Sequence, residues 1–534
     1  MDNEMFSMVL DTLKKIEREK LTIETKIEMD RQGEFPEELI RFMLGPTIAL
    51  HLIFIPSEYG GLGASAGQIA CMSEEMAKMD MAIATSFLAI CLGMDPIRVA
   101  GTEEQKDIFI RRIADEGLIV GYGVTEPEAG SNVQALKTKA DRVLDERGDI
   151  KGYTLHGQKQ FVTNGGVADL YTILADTPEG PSFFIVEKGT EGLIPGEHED
   201  KHGIRASNTA PVTLEDVFVP VENLVGGVEG AGLKEANKVF GYTRLMVATF
   251  GLAAGVSSLE KVLAYAKERV QFGTTLVEKQ GYTHKLLIPN AVRLEAARAY
   301  IEEVAERIDS GEEDLQVEGS IAKYFATEVG DAMANDGIQA LGGYGYIRDY
   351  EVEKIKRDAK IATIFEGTSE IQQSIISIFR LRKTLHTKGK YYLDMVEELS
   401  GLTDETGGPM VARAIDFLNE FLLIARRLKV TKSQYFMFLL ADMMTWLEVA
   451  KALCVKAAGS KTWQTKHSNE FMVAVSRLFA REAVEKEYIH ILKIMQTDHQ
   501  IYDDFKEKIN SLDLYKVFEG MLADMDVVAR ELTV

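Results

Sequence analysis

The spacing of apolar and polar residues changes twice along the chain. Up to about residue 118 the two kinds alternate with helical period, as in LDTLKKIEREKLTI, which predicts amphipathic helices. FIPSEYGGLGAS reads as a glycine-rich loop. The uncharged run MAIATSFLAICLGM beyond it predicts a buried helix ending where Asp95 meets Pro96, because proline lacks the amide hydrogen a helix needs. The run is shorter than the roughly 20 residues that span a bilayer. From about Gly121 to Gly227 the texture changes. YTLHGQKQFVTNG, DLYTILAD, SFFIVEKG and PVTLEDVFVP are β-branched and aromatic runs punctuated by Gly, Pro, Asn and Asp, which predicts a small antiparallel β domain. After Gly232 helical period returns over Arg244–Val270, Ala291–Asp309 and Leu315–Ile338, the pattern of a helical bundle. Beyond Leu385 lies a further helical region, and its segment YFMFLLADMMTWLEVAKAL is apolar on most faces, so it should be buried. The expected fold is multidomain α+β, with a helical domain over 1–118, a β domain over 119–228, a helical bundle over 229–385 and an additional helical extension over 386–534.

Composition changes this picture little. The chain has 534 residues, 46% of them hydrophobic, which allows several cores. With 60 Lys and Arg against 83 Asp and Glu, its formal charge of −23 should repel nucleic acid and anionic lipid surfaces. Nucleic-acid binding is not expected and membrane docking is not favoured. Cys71, Cys91 and Cys454 are scattered and form no C-x-x-C pair, so neither a zinc site nor a disulfide framework is expected. MDNEMFSMVL lacks a basic stretch followed by an apolar block, so a cytoplasmic location is expected.

Candidate chemistry is sparse on local grounds. GGLGASAG and LGGYGY are glycine-rich, but neither follows a strand and opens a β-α-β unit, so no dinucleotide fold is indicated. His198 and His202 have metal-ligand spacing for a helix, yet Pro195 and Gly203 place them in a loop, and no metal is expected. GYGVTEPEAGSNV (residues 121–133) offers backbone and hydroxyl donors suited to a polar ligand, or is only a turn. In DAKIATIFEGTSEIQ (residues 358–372), Ser369 and Gln372 fit a capping box that would start a helix. Glu366 then precedes that cap, beside Phe365 and Gly367. It is either a solvated turn carboxylate or a general base, which an apolar neighbour would make more basic by desolvation.

Taken together, these segments resemble the acyl-CoA dehydrogenase family. YGVTEPEAGSNV, KQFVTNGG, KHGIRASNTAPVTLEDVFVP, ERVQFGTTLVEKQ and QALGGYGYIRDYEVEKIKRDAKIATIFEGTSEIQ occur in the family's order between about residues 5 and 385. The resemblance implies an N-terminal helical domain, a middle β domain, a C-terminal four-helix domain and FAD as cofactor. By resemblance Val124, Thr125, Gly130, Ser131, Phe161 and Thr163 lie around the flavin. Arg269, Gln271, Phe272, Leu276, Gln280, Gln339, Gly342, Gly343, Thr368 and Glu370 resemble contacts to the rest of FAD, in part across a dimer interface. Glu366 resembles the catalytic base that takes the α proton of an acyl-CoA, and Ser131, Thr243, Arg244 and Gly367 resemble positions near the bound thioester.

The implied reaction is α,β-dehydrogenation of an acyl-CoA, with electrons passed to an electron-transfer flavoprotein. An acyl-CoA oxidase or another flavoenzyme on the same fold, and a scaffold or assembly protein with vestigial activity, are the alternatives. Asn132 stands where many relatives have Asp, and Gly241 where many have an acidic or polar contact to CoA. The uncharged run Met81–Met94 argues against a dicarboxylic substrate and for an apolar acyl tail. Residues 386–534 resemble the extension of very-long-chain members, which implies a dimer in preference to a tetramer.

Overall fold

The computed structural model describes residues 1–425, 430–459, 466–496, 505–510 and 512–534, with the backbone alone described for 237–242, where Gly241 falls. They form two compact units. One comprises residues 1–250, 308–316 and 357–361; the other comprises 251–307, 317–356 and 362–534.

The first unit begins with helices and continues into a sheet. The helix Ala66–Met79 starts at a capping box in which Ser65 and Gln68 satisfy each other's backbone amides. The next, Met81–Ala100, starts at Asp80, whose carboxylate accepts from the amides of Ala82 and Ile83 at 2.9 and 3.2 Å. This helix is buried almost throughout. It does not end at Pro96 as expected but runs one more turn to Ala100. A proline disturbs the carbonyls of the preceding turn, and here Thr172 Oγ1 donates to Gly93 O at 2.9 Å. Asp95, also buried, accepts from Arg98 Nε at 2.7 Å. The helix is therefore long and apolar enough to cross a membrane by length and composition, yet 89% of its apolar window is buried in protein.

The sheet has seven strands: β1 (Val120–Gly123), β2 (Lys139–Leu144), β3 (Ile150–Thr163), β4 (Leu170–Thr177), β5 (Gly180–Glu187), β6 (Leu193–Pro195) and β7 (Thr209–Pro220). Their order is β1-β4-β2-β3-β7-β6, with β5 paired to β4. It is mixed, not purely antiparallel, because β1 pairs β4 in parallel. Parallel neighbours need a long crossover, and residues 124–169, which include the β2–β3 hairpin, supply it. Long β-branched runs give no sign of strand direction, so this was not readable from their pattern. Residues 357–361 join the same unit: Asp358 Oδ1 accepts from Ile204 N at 2.6 Å, and Arg357 pairs with Asp30 at 2.6 Å.

The second unit is helical, apart from a two-stranded hairpin formed by β8 (Val270–Gln271) and β9 (Thr274–Thr275). It contains most of the long helices Ile288–Asp309 and Gln316–Leu341, together with Ser369–His386. Backbones approach closely at Gly251 and Gly330, where a Cβ on Gly330 would lie 1.9 Å from Gly251 O. The extension contributes Lys390–Ser400, Gly408–Ala425, Gln434–Ala457, Asn469–Met495 and Met521–Thr533 to this same unit. Gln434–Ala457 is buried on most faces, as its sequence predicts. Trp446 stacks on Phe479 at 5.2 Å, and Phe325 of the bundle meets both rings edge-on. Arg380, 2% exposed, donates to Glu448 of the extension at 2.8 and 2.9 Å and to Glu318 of the bundle at 2.9 Å.

Candidate active site

The turn that carries Glu366 is built from backbone strain held in place by side chains. Glu366 has φ 55° and Gly367 φ 92°. A non-glycine residue in that region costs about 1–3 kcal/mol, so its surroundings must over-determine it. Gln372 Nε2 donates to both Glu366 O and Gly367 O at 2.9 Å. Lys323 Nζ, from the Gln316–Leu341 helix, donates to Gly367 O at 2.8 Å. Ser369 N closes the turn onto Thr363 O at 3.0 Å. Lys323 and Gln372 are fully buried, whereas Phe365 and Glu366 are half-buried.

The helix cap differs by one residue from the expected capping box. Thr368, not Ser369, is the N-cap, and its Oγ1 accepts from Ile371 N at 3.4 Å. The left-handed pair at 366–367 makes Thr368 the last extended residue before the helix. Ser369 is thereby the first helical residue, and its hydroxyl donates to Glu328 Oε1 at 2.5 Å. Gln372 reaches back to the turn's carbonyls instead of to a cap amide. Glu370 is exposed and Thr368 half-buried.

In the same unit, Arg269 and Tyr282, on either side of the β8–β9 hairpin, meet the end of the Gln316–Leu341 helix and the segment after it. The Arg269 guanidinium lies 5.7 Å from the Tyr344 ring centroid, and Tyr282 donates to Ala340 O at 3.2 Å. Arg269, Gln271, Gln280, Gln339, Gly342 and Gly343 are exposed, and Leu276 is half-buried. Phe272 is 97% exposed at φ 51°. Nothing lies within 4 Å of a Cβ built on Gly342 or Gly343. A guanidinium beside open glycine backbone suits a diphosphate, which arginine binds bidentately.

The first unit holds the other predicted residues. Phe161 sits at a β-bulge in β3, with φ 57° and 64% of its surface exposed; bulges re-aim side chains in this way. Val124 is buried, Thr125 and Thr163 are half-buried, and Gly130 and Ser131 are exposed. Gln160 N donates to Thr125 O at 2.9 Å, tying β3 to the 124–133 loop. No Cβ contact exists within 4 Å of Gly130. Thr243 and Arg244 are buried in the helix Gly232–Glu268.

Beneath the loop lies a buried ion pair that the sequence did not reveal. Lys159 Nζ is 2.6 Å from Glu126 Oε1, and Glu126 also accepts from the amides of Lys137 and Thr138. Burial lowers the Lys159 ammonium to about 8 against the opposing pull of Glu126. Burial pushes the Glu126 carboxyl up, but Lys159 and the two amides outweigh it and hold the group below its ordinary value. The two residues are 33 apart in sequence, so no local pattern pairs them. Among the described residues no three His, Cys, Asp or Glu side chains are grouped so as to hold a metal ion.

The first unit thus presents a bulged strand with an exposed aromatic ring, and the second an arginine near open glycines and a carboxylate on a strained turn. Residues 3–117, 121–217 and 230–378 match the N-terminal, middle and C-terminal domain profiles of acyl-CoA dehydrogenase. The chain is 37% identical over 362 residues to the acyl-CoA dehydrogenase of Bacillus subtilis, covering 67% of this chain and 93% of that one. It is 33% identical over 382 residues to cyclohexane-1-carbonyl-CoA dehydrogenase of Syntrophus aciditrophicus, covering 70% and 96%. Its fold matches the FAD-complexed acyl-CoA dehydrogenase of Bacillus anthracis with a TM-score of 0.88 at 25% identity, covering 99% of this chain and 95% of that one. The chain belongs to the acyl-CoA dehydrogenase family of FAD-dependent oxidoreductases. The Bacillus anthracis match includes the helices beyond residue 385.

Proposed function

We propose that the chain dehydrogenates an acyl-CoA thioester to the 2-enoyl-CoA and passes the electrons to an electron-transfer flavoprotein. The observation that carries this reading is Glu366 itself, a carboxylate on a left-handed turn fixed by Gln372 and Lys323. Glu366 takes the α proton as the C=C bond forms, and the backbone N–H of the same residue polarises the thioester carbonyl. FAD, when bound, supplies the acceptor for the hydride that leaves Cβ. Val124, Thr125, Gly130, Ser131, Phe161 and Thr163 would hold its ring system. Arg269, Gln271, Phe272, Leu276, Gln280, Gln339, Gly342, Gly343, Thr368 and Glu370 would hold the remainder, some of them from a second copy in a homodimer. Ser131, Thr243, Arg244 and Gly367 would meet the CoA thioester. An apolar acyl tail agrees with the uncharged, buried run Met81–Met94, and a cytoplasmic location agrees with the acidic composition.

The test is anaerobic flavin bleaching by butanoyl-, octanoyl-, palmitoyl- and glutaryl-CoA. Bleaching by one or more monocarboxylic thioesters supports the reaction and gives the chain length. A flavoprotein that none of them bleaches removes it in favour of a scaffold role. Peroxide formed stoichiometrically in air would make the enzyme an oxidase and remove the flavoprotein partner.

A further inference from the structure

We propose that Lys323 and Gln372 are positioning residues for Glu366, together fixing the backbone turn that aims its carboxylate. The inference rests on Glu366 being the base of the reaction above. Two successive carbonyls, of residues 366 and 367, converge on one amide nitrogen, Gln372 Nε2, at 2.9 Å each. Consecutive carbonyls face the same donor here because both residues are left-handed. The second carbonyl also accepts from the Lys323 ammonium at 2.8 Å. Burying an ammonium is a costly way to satisfy a carbonyl, but a charge-assisted hydrogen bond is roughly twice as strong as a neutral one. The turn has no room to relax toward its clamp: a Cβ on Gly367 would lie 2.6 Å from Gln372 Nε2.

The two clamp residues come from different helices, and those helices are joined again one residue further along each. Tyr324 OH and Gln373 Nε2 both donate to Asp442 Oδ1 of the extension, at 2.7 and 2.8 Å, and lie 3.0 Å from each other. Asp442 sets the rotation and axial register of both helices, so the donors at 323 and 372 stay aimed at the turn. The extension thereby reaches the base through two hydrogen-bonded layers.

The experiment compares the holoenzyme with Lys323→Met, Gln372→Asn and Glu366→Gln, using the acyl-CoA that bleaches the wild type fastest. Lys323→Met and Gln372→Asn should retain FAD and Tm, and lower kcat about 10- to 100-fold with little change in KM. Amide exchange over residues 366–371 should accelerate in both. Lys323→Met should also move the acid limb of the kcat profile to higher pH, because removing a nearby cation favours a neutral carboxyl. Gln372→Asn should leave that limb in place. A kcat within about twofold of wild type with an unchanged pH profile overturns the proposal. So does a loss of rate that only tracks loss of FAD or of helical signal. If Lys323→Met does not fold, Gln372→Asn decides on kcat and exchange alone. If Glu366→Gln keeps the wild-type rate, the base assignment fails, an outcome distinct from failure of the clamp.

Discussion

Glu366 and Gly367 form a left-handed turn, and the proposed base is the carboxylate it carries. Replacing Glu366 by Gln keeps shape and hydrogen-bonding capacity while removing the base, so flavin reduction by acyl-CoA should fall at least about 1,000-fold with FAD content unchanged. Stopped-flow bleaching measures this; a variant reduced at the wild-type rate would end the assignment. Gly367→Ala meets both a φ of 92° and Gln372 Nε2 at 2.6 Å. It should lower kcat more than it lowers Tm, read from kinetics and a melting curve on the same sample. The carboxylate at 366 was visible in the sequence because a family motif surrounds it. Lys323 was not, since nothing local marks a buried lysine as aimed at a carbonyl 44 residues away, and Gln372 was legible only as a capping residue.

A second residue titrates in the opposite sense from most carboxylates. Glu487 in the extension is fully buried, and neither of its oxygens has a hydrogen-bond partner among the described residues. Desolvation raises its pKa well above the ordinary value. Folding therefore takes up a proton. The stability this group contributes is complete below the carboxyl's unfolded pKa of about 4.3 and is lost as pH rises toward its folded value, at up to about 1.4 kcal/mol per pH unit. Glu487→Gln should thus gain Tm over the wild type as pH rises above about 5. Parallel Tm curves for the two proteins would contradict it.

At the scale of elements, the cap read from the sequence at Ser369 lies one residue earlier, at Thr368, and the expected breaker Pro96 sits inside its helix. Asp80 caps its helix with two amide hydrogen bonds, so Asp80→Ala should cost about 1–2 kcal/mol, measurable as a lower Tm. An unchanged Tm would show that the buried helix gains nothing from its cap. Pro96 looked like a terminus, but its helix runs on to Ala100. The runs that form β3, β4, β5 and β7 were legible from their β-branched and aromatic residues between turn formers. The parallel pairing of β1 with β4 was not, because direction depends on the crossover and not on the strands.

At the scale of the whole molecule, the helical, β and helical order was legible, and so was the presence of an added helical region. Its integration was not. The residues that bind the extension to the bundle are single polar and aromatic positions that no sequence pattern pairs: Phe325, Arg380 and Gln373 against Trp446, Glu448 and Asp442. Ending the chain at Leu385 would expose this face, and the product should aggregate or melt far below the full chain. Light scattering and a melting curve decide this, and a monodisperse product with the original Tm would show that the contacts carry little.

The joining of Arg380 to Glu448 and of Phe325 to Trp446 within one polypeptide also sets how this face responds to dilution. A surface covered by a separate molecule is uncovered when concentration falls below the dissociation constant. A surface covered by its own chain is closed by a first-order process, at an effective concentration that diluting the sample does not change. The helix that carries Glu366's clamp therefore keeps its packing at any protein concentration at which the chain is folded.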